Sequence, residues 1–212
     1  MIKKIGASSI ALTGIGTGIT VADTHQSSGL DTRFDPDNQP EVYEFVDHLH
    51  ELDRDDGERV LKSLTRERQV AVAEAMKPVD YTVDTEYPLQ SFDSDTDSII
   101  RTVTAKSATG NFAYRYKHTF SWEWEDGVVI DASGDAGPDG TGLPWKYIGD
   151  SVDDVLVADD AGKSFQTGEF GLCIYVPTCV VTERGFPYIN IFGYPDGLFD
   201  VASDDDGNNS PG

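Results

Sequence analysis

Apolar residues in the first third of the chain recur with the period of a helix. Five of them fall three or four positions apart: Val42, Phe45, Val46, Leu49 and Leu52. The same spacing returns at residues 60–64 and 70–76, and Pro78 ends it. We therefore predict a small helical unit over residues 39–78.

From about residue 80 the apolar residues recur at every second position, which is the period of a half-buried strand. Residues 112–124 alternate without interruption, and a tight-turn dipeptide, Asp126-Gly127, precedes the next apolar run. Further short strand patterns follow with turns and no helices between them. The chain is thus predicted to be mainly β, an antiparallel β-sandwich of about eight strands over residues 79–201.

The predicted strand 112–124 carries aromatic side chains on one face and polar side chains on the other. This face can be the core of the sandwich, or a platform on which sugar rings stack. The candidate binding residues are Tyr114, Tyr116, His118, Trp122 and Trp124. Because strands usually have roughly 3 to 10 residues, we expect a bulge here, or a part that projects beyond the core.

Cys173 and Cys179 are the only cysteines. A close pair in an exported chain indicates a disulfide, since two thiolates alone do not complete a tetrahedral zinc site. The residues between them are mostly apolar and form a candidate hairpin tip: Ile174, Tyr175, Val176 and Pro177. Such a tip can insert into a membrane or a partner's groove, or the two cysteines can bridge buried strands.

The charge of the chain excludes some partners. Against 38 Asp and Glu there are 16 Lys and Arg, a net charge of −22. Nucleic acid and anionic lipid need cations to neutralise their phosphates, so we predict that neither is a partner. The Asp-rich surface resembles that of proteins from salt-in halophilic archaea. This resemblance implies a protein that needs salt, because screening lowers the repulsion between its carboxylates.

Residues 1–22 have a short basic start and a weakly apolar run, the layout of a signal peptide cleaved after Ala22. The stretch K-K-I-G-A-S-S-I-A-L-T-G-I-G resembles the part of twin-arginine export signals of halophilic archaea that follows the paired arginines. This chain lacks the pair, so we expect Met1 to be an internal start. The protein is predicted to be secreted or extracellular, associated with the cell envelope, with a linker over 23–38 and a disordered acidic tail over 202–212.

A run of alternating aspartates, Asp93, Asp95 and Asp97, is similar to the start of a calcium loop. In an EF-hand the sixth position is Gly and the twelfth is Glu, whereas this chain has Ser98 and Thr104 there. We therefore predict no cofactor, and at most low-affinity calcium binding at these aspartates.

The sequence contains no pattern of a nucleophile with its base, of a zinc-binding helix or of a phosphate loop. A glycosidase needs only two carboxylates at the right separation, and sequence alone does not reveal such a pair. We predict a non-catalytic recognition protein whose ligand is a glycan or an envelope protein. The alternatives are a glycan-active hydrolase with Trp122, Trp124 or Trp145 lining its cleft, and a halocin-like antagonistic protein.

Overall fold

Three short helices open the part of the chain that the computed structural model describes, which is residues 32–88, 95–175 and 177–203. They are α1 (Gln39–His50), α2 (Arg54–Ser63) and α3 (Arg66–Ala75). The side chains of Asp53 and Thr65 cap α2 and α3 by accepting hydrogen bonds from backbone amides. The apolar stripe of α1 packs on the other two helices and on the sandwich, as its spacing predicts. The predicted signal peptide and nearly all of the predicted tail lie outside the described residues.

Nine strands follow in the described ranges, and they form two antiparallel sheets. Sheet A contains, in spatial order, β1 (Pro78–Glu86), β2 (Thr96–Ser107), β3 (Phe112–Glu125) and β4 (Val128–Thr141). Sheet B contains β5 (Trp145–Ala158), β6 (Ala161–Tyr175), β8 (Tyr188–Gly193) and β9 (Phe199–Ser203), and β7 (Cys179–Gly185) also pairs with β6. The prediction of a mainly β, sandwich-like fold preceded by a small helical unit is confirmed.

The helical unit covers one end of the outer face of sheet B. Cys173 and Tyr175 near the end of β6 are buried beneath it. The Gln69 side-chain oxygen on α3 accepts a hydrogen bond from the Tyr175 backbone amide at 2.7 Å. The Trp145 indole N–H donates to the Met76 carbonyl at 2.9 Å. These buried bonds attach the helices to the sandwich at fixed positions, because breaking them would leave polar groups without partners.

The predicted disulfide is confirmed. Cys173 on β6 and Cys179 on β7 are bonded, and their Cα atoms are 5.1 Å apart. The bond closes the end of this hairpin beside the helical unit, and it is consistent with an extracellular protein. No helix in the described ranges has the length and apolar content needed to cross a bilayer.

Candidate recognition surface

The aromatic face of β3 is the core of the sandwich. Tyr114, Tyr116, His118 and Trp122 are each at most 1% exposed, and Trp124 is half-buried at the end of the strand. The interpretation of Tyr114, Tyr116, His118 and Trp122 as a platform for sugars is therefore wrong, because no ligand reaches the faces of these buried rings. Trp124 alone does not form such a platform.

Glycines of sheet B make room for these rings. A Cβ on Gly168 would lie 2.6 Å from the Tyr116 ring, one on Gly185 would collide with Tyr114, and one on Gly193 with Trp122. The three rings thus lie against bare backbone of the opposite sheet. The sequence did not predict this role of the glycines, because the contact between a glycine and a ring of the other sheet follows only from the way the two sheets pack.

His118 is the one histidine in this buried stripe, and it is fully buried. Its Nδ1 lies 3.2 Å from the backbone carbonyl of Asp135, so Nδ1 carries the proton and donates. Nε2 is buried without a hydrogen-bond partner. Burial lowers the pKa of His118, and the Asp135 carbonyl and the carboxylates of Asp135 and Asp153 only partly oppose this effect.

We expect the free energy of unfolding to fall as the pH drops below about 6.5, the ordinary value for histidine. In that range the unfolded chain takes up a proton on His118 that the folded chain, with its lowered pKa, does not. The His118→Gln variant retains a donor for Asp135 and should show a weaker pH dependence in urea unfolding between about pH 7.5 and 5.5. His48→Gln, on the exposed side of α1, is the control. An unchanged slope in His118→Gln would contradict the prediction.

The candidate hairpin tip is not an exposed apolar surface. Tyr175 is 5% exposed beneath the helical unit, and Ile174 packs against the sandwich core. Pro177 is exposed, and Val176 lies outside the described residues. The prediction that this tip inserts into a membrane or a groove is therefore wrong, because Ile174 and Tyr175 already pack against other parts of the protein.

The candidate calcium residues do not form a cluster in the described chain. Asp93 lies outside it, the carbonyl of Asp95 accepts a hydrogen bond from Trp124, and the carboxylate of Asp97 accepts one from the backbone of Ser98. Among the described residues no group of three His, Cys, Asp or Glu side chains is placed to hold a metal ion.

Two of the three tryptophans predicted to line a hydrolase cleft, Trp122 and Trp145, are each 1% exposed in the core and line no cleft, and the third, Trp124, is half-buried. A cleft of about 650 Å³ does lie between α1 and α3, with acidic side chains on its rim. One of them is Glu67, and hydrogen bonds from its own backbone amide and from Thr65 lower its pKa. A glycosidase needs a general acid with a raised pKa, so Glu67 does not fit that role.

The outer face of sheet B carries an aromatic pair that lies neither in the core of the sandwich nor in the core beneath the helical unit. Phe165 on β6 and Phe192 on β8 alternate with fully buried neighbours and therefore point away from the sandwich. Their ring centroids are 5.7 Å apart with an interplanar angle of 87°, and each side chain is partly exposed. An edge-to-face pair of this kind presents a firm apolar surface.

Polar and aliphatic side chains surround this pair in register. Asn190 is opposite Phe165, Lys163 is opposite Phe192, and Leu156, 55% exposed, is opposite Lys163 on the other side. Tyr188 follows at the start of β8. We call these six residues the outer patch: Leu156, Lys163, Phe165, Tyr188, Asn190 and Phe192. They place hydrogen-bonding groups around partly exposed rings, a composition that suits a partly apolar, hydroxyl-bearing ligand.

The outer patch occupies the part of this face that the helices leave open. Farther along β6, Glu169 and Arg184 form an ion pair, and beyond them the helical unit covers Cys173 and Tyr175. Sequence reasoning missed the patch. The available signal was the alternation of residues 189–192, where isoleucines take the inner face and Phe192 takes the outer one with Asn190.

Comparison of the chain with protein-family models, with curated proteins and with solved structures finds no match.

Proposed function

We propose that this is a secreted or envelope-associated, non-catalytic recognition protein that is adapted to high salt and binds a neutral glycan through the outer patch. The observation that carries the proposal is the Phe165–Phe192 pair, two aromatic rings that pack edge to face and remain partly exposed on the outer face of sheet B. An apolar patch rimmed by polar side chains is typical of a surface used for binding.

The chemistry of the patch favours sugar rings. The apolar C–H face of a sugar ring packs on an aromatic side chain, while its hydroxyl groups take hydrogen bonds from groups such as Asn190 and Lys163. Asp154 and Asp200, both exposed, lie opposite Phe165 and Phe192 on the neighbouring strands. These carboxylates disfavour an anionic ligand at this position, so we assign a neutral glycan to it.

Export of the protein is supported by the basic and weakly apolar run at residues 1–22 and by the disulfide. Salt adaptation is supported by the charge of −22. A neutral ligand held by ring contacts suits such conditions, because screening by salt weakens charge pairs but leaves apolar contacts intact.

The test compares the wild type with Phe165→Ala/Phe192→Ala by affinity electrophoresis through gels that contain a neutral polysaccharide. The probes are dextran, mannan, xylan and hydroxyethyl cellulose, in KCl at about 1 M, where charge effects are short-ranged. We expect retardation by at least one of them and at least a tenfold weaker association in the variant, equivalent to about 1.4 kcal/mol.

The matched control is Val79→Ala, which truncates a side chain that is 65% exposed on β1, far from the patch in the sheet order. Circular dichroism verifies that both variants are folded. If none of the four polysaccharides retards the wild type, or if the double variant is retarded as strongly as the wild type, the proposal is wrong.

A further inference from the structure

The outer face of sheet A, on the opposite side of the sandwich, brings three cations together. Arg115 and Lys117 point outward from β3, and Lys106 points outward from the neighbouring strand β2. A bulge at Ala113 turns Phe112 onto the same face, opposite Lys106. The alternation of residues 112–124 predicted that Phe112 points into the core, and this prediction is wrong. We call these four residues the cationic patch: Lys106, Phe112, Arg115 and Lys117.

Arg115 is held in position with its hydrogen-bonding capacity unused. Its guanidinium lies 5.0 Å above the Phe112 ring and beside Gly140, whose lack of a side chain leaves room for it. The nearest carboxylate oxygen, on Asp139, is 3.7 Å from Nε, which is too far for a hydrogen bond. Within the described part of the chain Arg115 donates no hydrogen bond, and its Nε is buried without a partner.

The two lysines have no ion-pair partner among the described residues, which is unexpected in a chain with more than twice as many acidic as basic residues. Asp80 on β1 lies opposite Lys106 in register but forms no ion pair with it. Neither Lys106 nor Lys117 forms an ion pair or a side-chain hydrogen bond with a described residue. By contrast, Lys62, Lys77 and Lys146 each have a carboxylate oxygen within 3.6 Å.

Threonines and glycines lie opposite Arg115 and Lys117 on the neighbouring strands. Thr104 is opposite Arg115 and Thr102 is opposite Lys117 on the β2 side. On the β4 side the partners are Gly140 and Gly137, and nothing lies within 4 Å of the position where Gly137 would carry a Cβ. A flat ligand can therefore approach the cations along β4 without meeting a side chain at residue 137.

We propose that the cationic patch binds an anionic polysaccharide, with Arg115 holding a carboxylate or sulfate group through its paired N–H donors and the two lysines contacting further anionic groups. Charge complementarity carries this assignment, because Lys106 and Lys117 form no ion pair with a described residue of this strongly acidic protein, and the Asp139 carboxylate pairs with Arg115 only at 3.7 Å. The cationic patch and the outer patch lie on opposite faces of the sandwich, so this proposal does not depend on the proposed function.

The structure favours a polymer over a single small anion. A single exposed charge pair contributes little to binding in water, whereas several linked anionic groups on one chain act together. It also favours a polysaccharide with one carboxylate per sugar ring over nucleic acid, because a duplex carries one phosphate charge per about 1.7 Å of its axis and the net charge of −22 repels that denser charge more strongly.

Isothermal titration calorimetry tests the proposal with dextran sulfate, alginate and neutral dextran as probes. The full chain should bind dextran sulfate, alginate or both. Neutral dextran is titrated into the Phe165→Ala/Phe192→Ala variant, whose outer patch is disabled, and should bind at least tenfold more weakly. Comparing sulfate with carboxylate shows which oxyanion is preferred. The affinity should fall as KCl is raised to about 1 M from the lowest concentration at which circular dichroism shows the chain to be folded, because the Debye length shortens to about 3 Å.

The Lys106→Gln/Lys117→Gln variant should bind the anionic probes at least tenfold more weakly. Arg115→Lys, which keeps the charge but loses the planar fork, should weaken binding at least threefold. The control Lys62→Gln/Lys77→Gln removes the same charge from lysines that already have carboxylate partners, and it should bind as the wild type does.

Three results would overturn the proposal. They are no binding of either anionic probe by the folded wild type, an equal loss in the control, and binding of polyphosphate or duplex DNA as tight as that of the anionic polysaccharides. The Phe165→Ala/Phe192→Ala variant should bind the anionic probes normally, so failure of the outer patch and failure of the cationic patch are distinguishable.

Discussion

Replacing Gly193 with alanine should lower the free energy of unfolding by about 3 kcal/mol, at the upper end of the cost of overpacking a core. The added Cβ would collide with the indole ring of Trp122, which is 1% exposed and donates a hydrogen bond to the Tyr194 carbonyl at 3.0 Å. The ring cannot move away easily, because Phe120 stacks on it at 5.5 Å between centroids. Urea unfolding monitored by tryptophan fluorescence measures the change.

Gly137→Ala is the matched control, since this glycine also lies in a strand but has nothing within 4 Å of its missing Cβ. Alanine there should leave stability unchanged or raise it by up to about 1 kcal/mol, because alanine restricts the unfolded chain. Equal destabilisation of the two variants would show that the close approach between Gly193 and Trp122 does not determine the result.

The difference between Gly193 and Gly137 could not be predicted from the sequence. The alternation of residues 112–124 predicts one buried face, and Tyr114, Tyr116, His118 and Trp122 do lie in the core. The alternation could not reveal which glycines of sheet B receive the rings. That pairing depends on how the two sheets are aligned, and the alignment depends on contacts between residues far apart in the chain.

The two candidate surfaces were hidden for different reasons. The alternation of residues 189–192 indicates that Phe192 points outward, but a single strand does not show that Phe165 of β6 lies beside it. The cationic patch needs two neighbouring strands in register and a bulge at Ala113 that turns Phe112 beneath Arg115. Periodicity predicts faces of strands, whereas neighbours across strands follow only from the register.

The disulfide and the helices were each predicted from the sequence, but the contact between them was not. The spacing of Cys173 and Cys179 predicted their bond, and the spacing of apolar residues predicted the helical unit. That the helices would cover the cysteine hairpin was not predictable, since the burial of Tyr175 depends on Gln69, more than a hundred residues earlier in the chain. The apolar tip looked available for insertion only because its cover was unknown.

Trp145→Ala should lower the free energy of unfolding by about 3 to 5 kcal/mol, the usual cost of deleting a buried aromatic side chain. Trp145 contacts Tyr114 in the sandwich core, with ring centroids 5.0 Å apart, and it donates the buried hydrogen bond to Met76 at the end of α3. Its removal thus leaves a cavity and breaks a bond between the helical unit and the sandwich. Protection of the α3 amides in hydrogen exchange should fall together with global stability.

Trp124→Ala removes the same side chain from a half-buried position at the end of β3 and is the control. Its expected cost is only about 1 to 2 kcal/mol, because less apolar area leaves water when this ring packs. If Trp145→Ala cost no more than Trp124→Ala, or left the exchange of α3 unchanged, the helical unit would not be held by Trp145. If instead the larger loss is found with faster exchange in α3, helices and sandwich unfold as one cooperative structure joined at this residue.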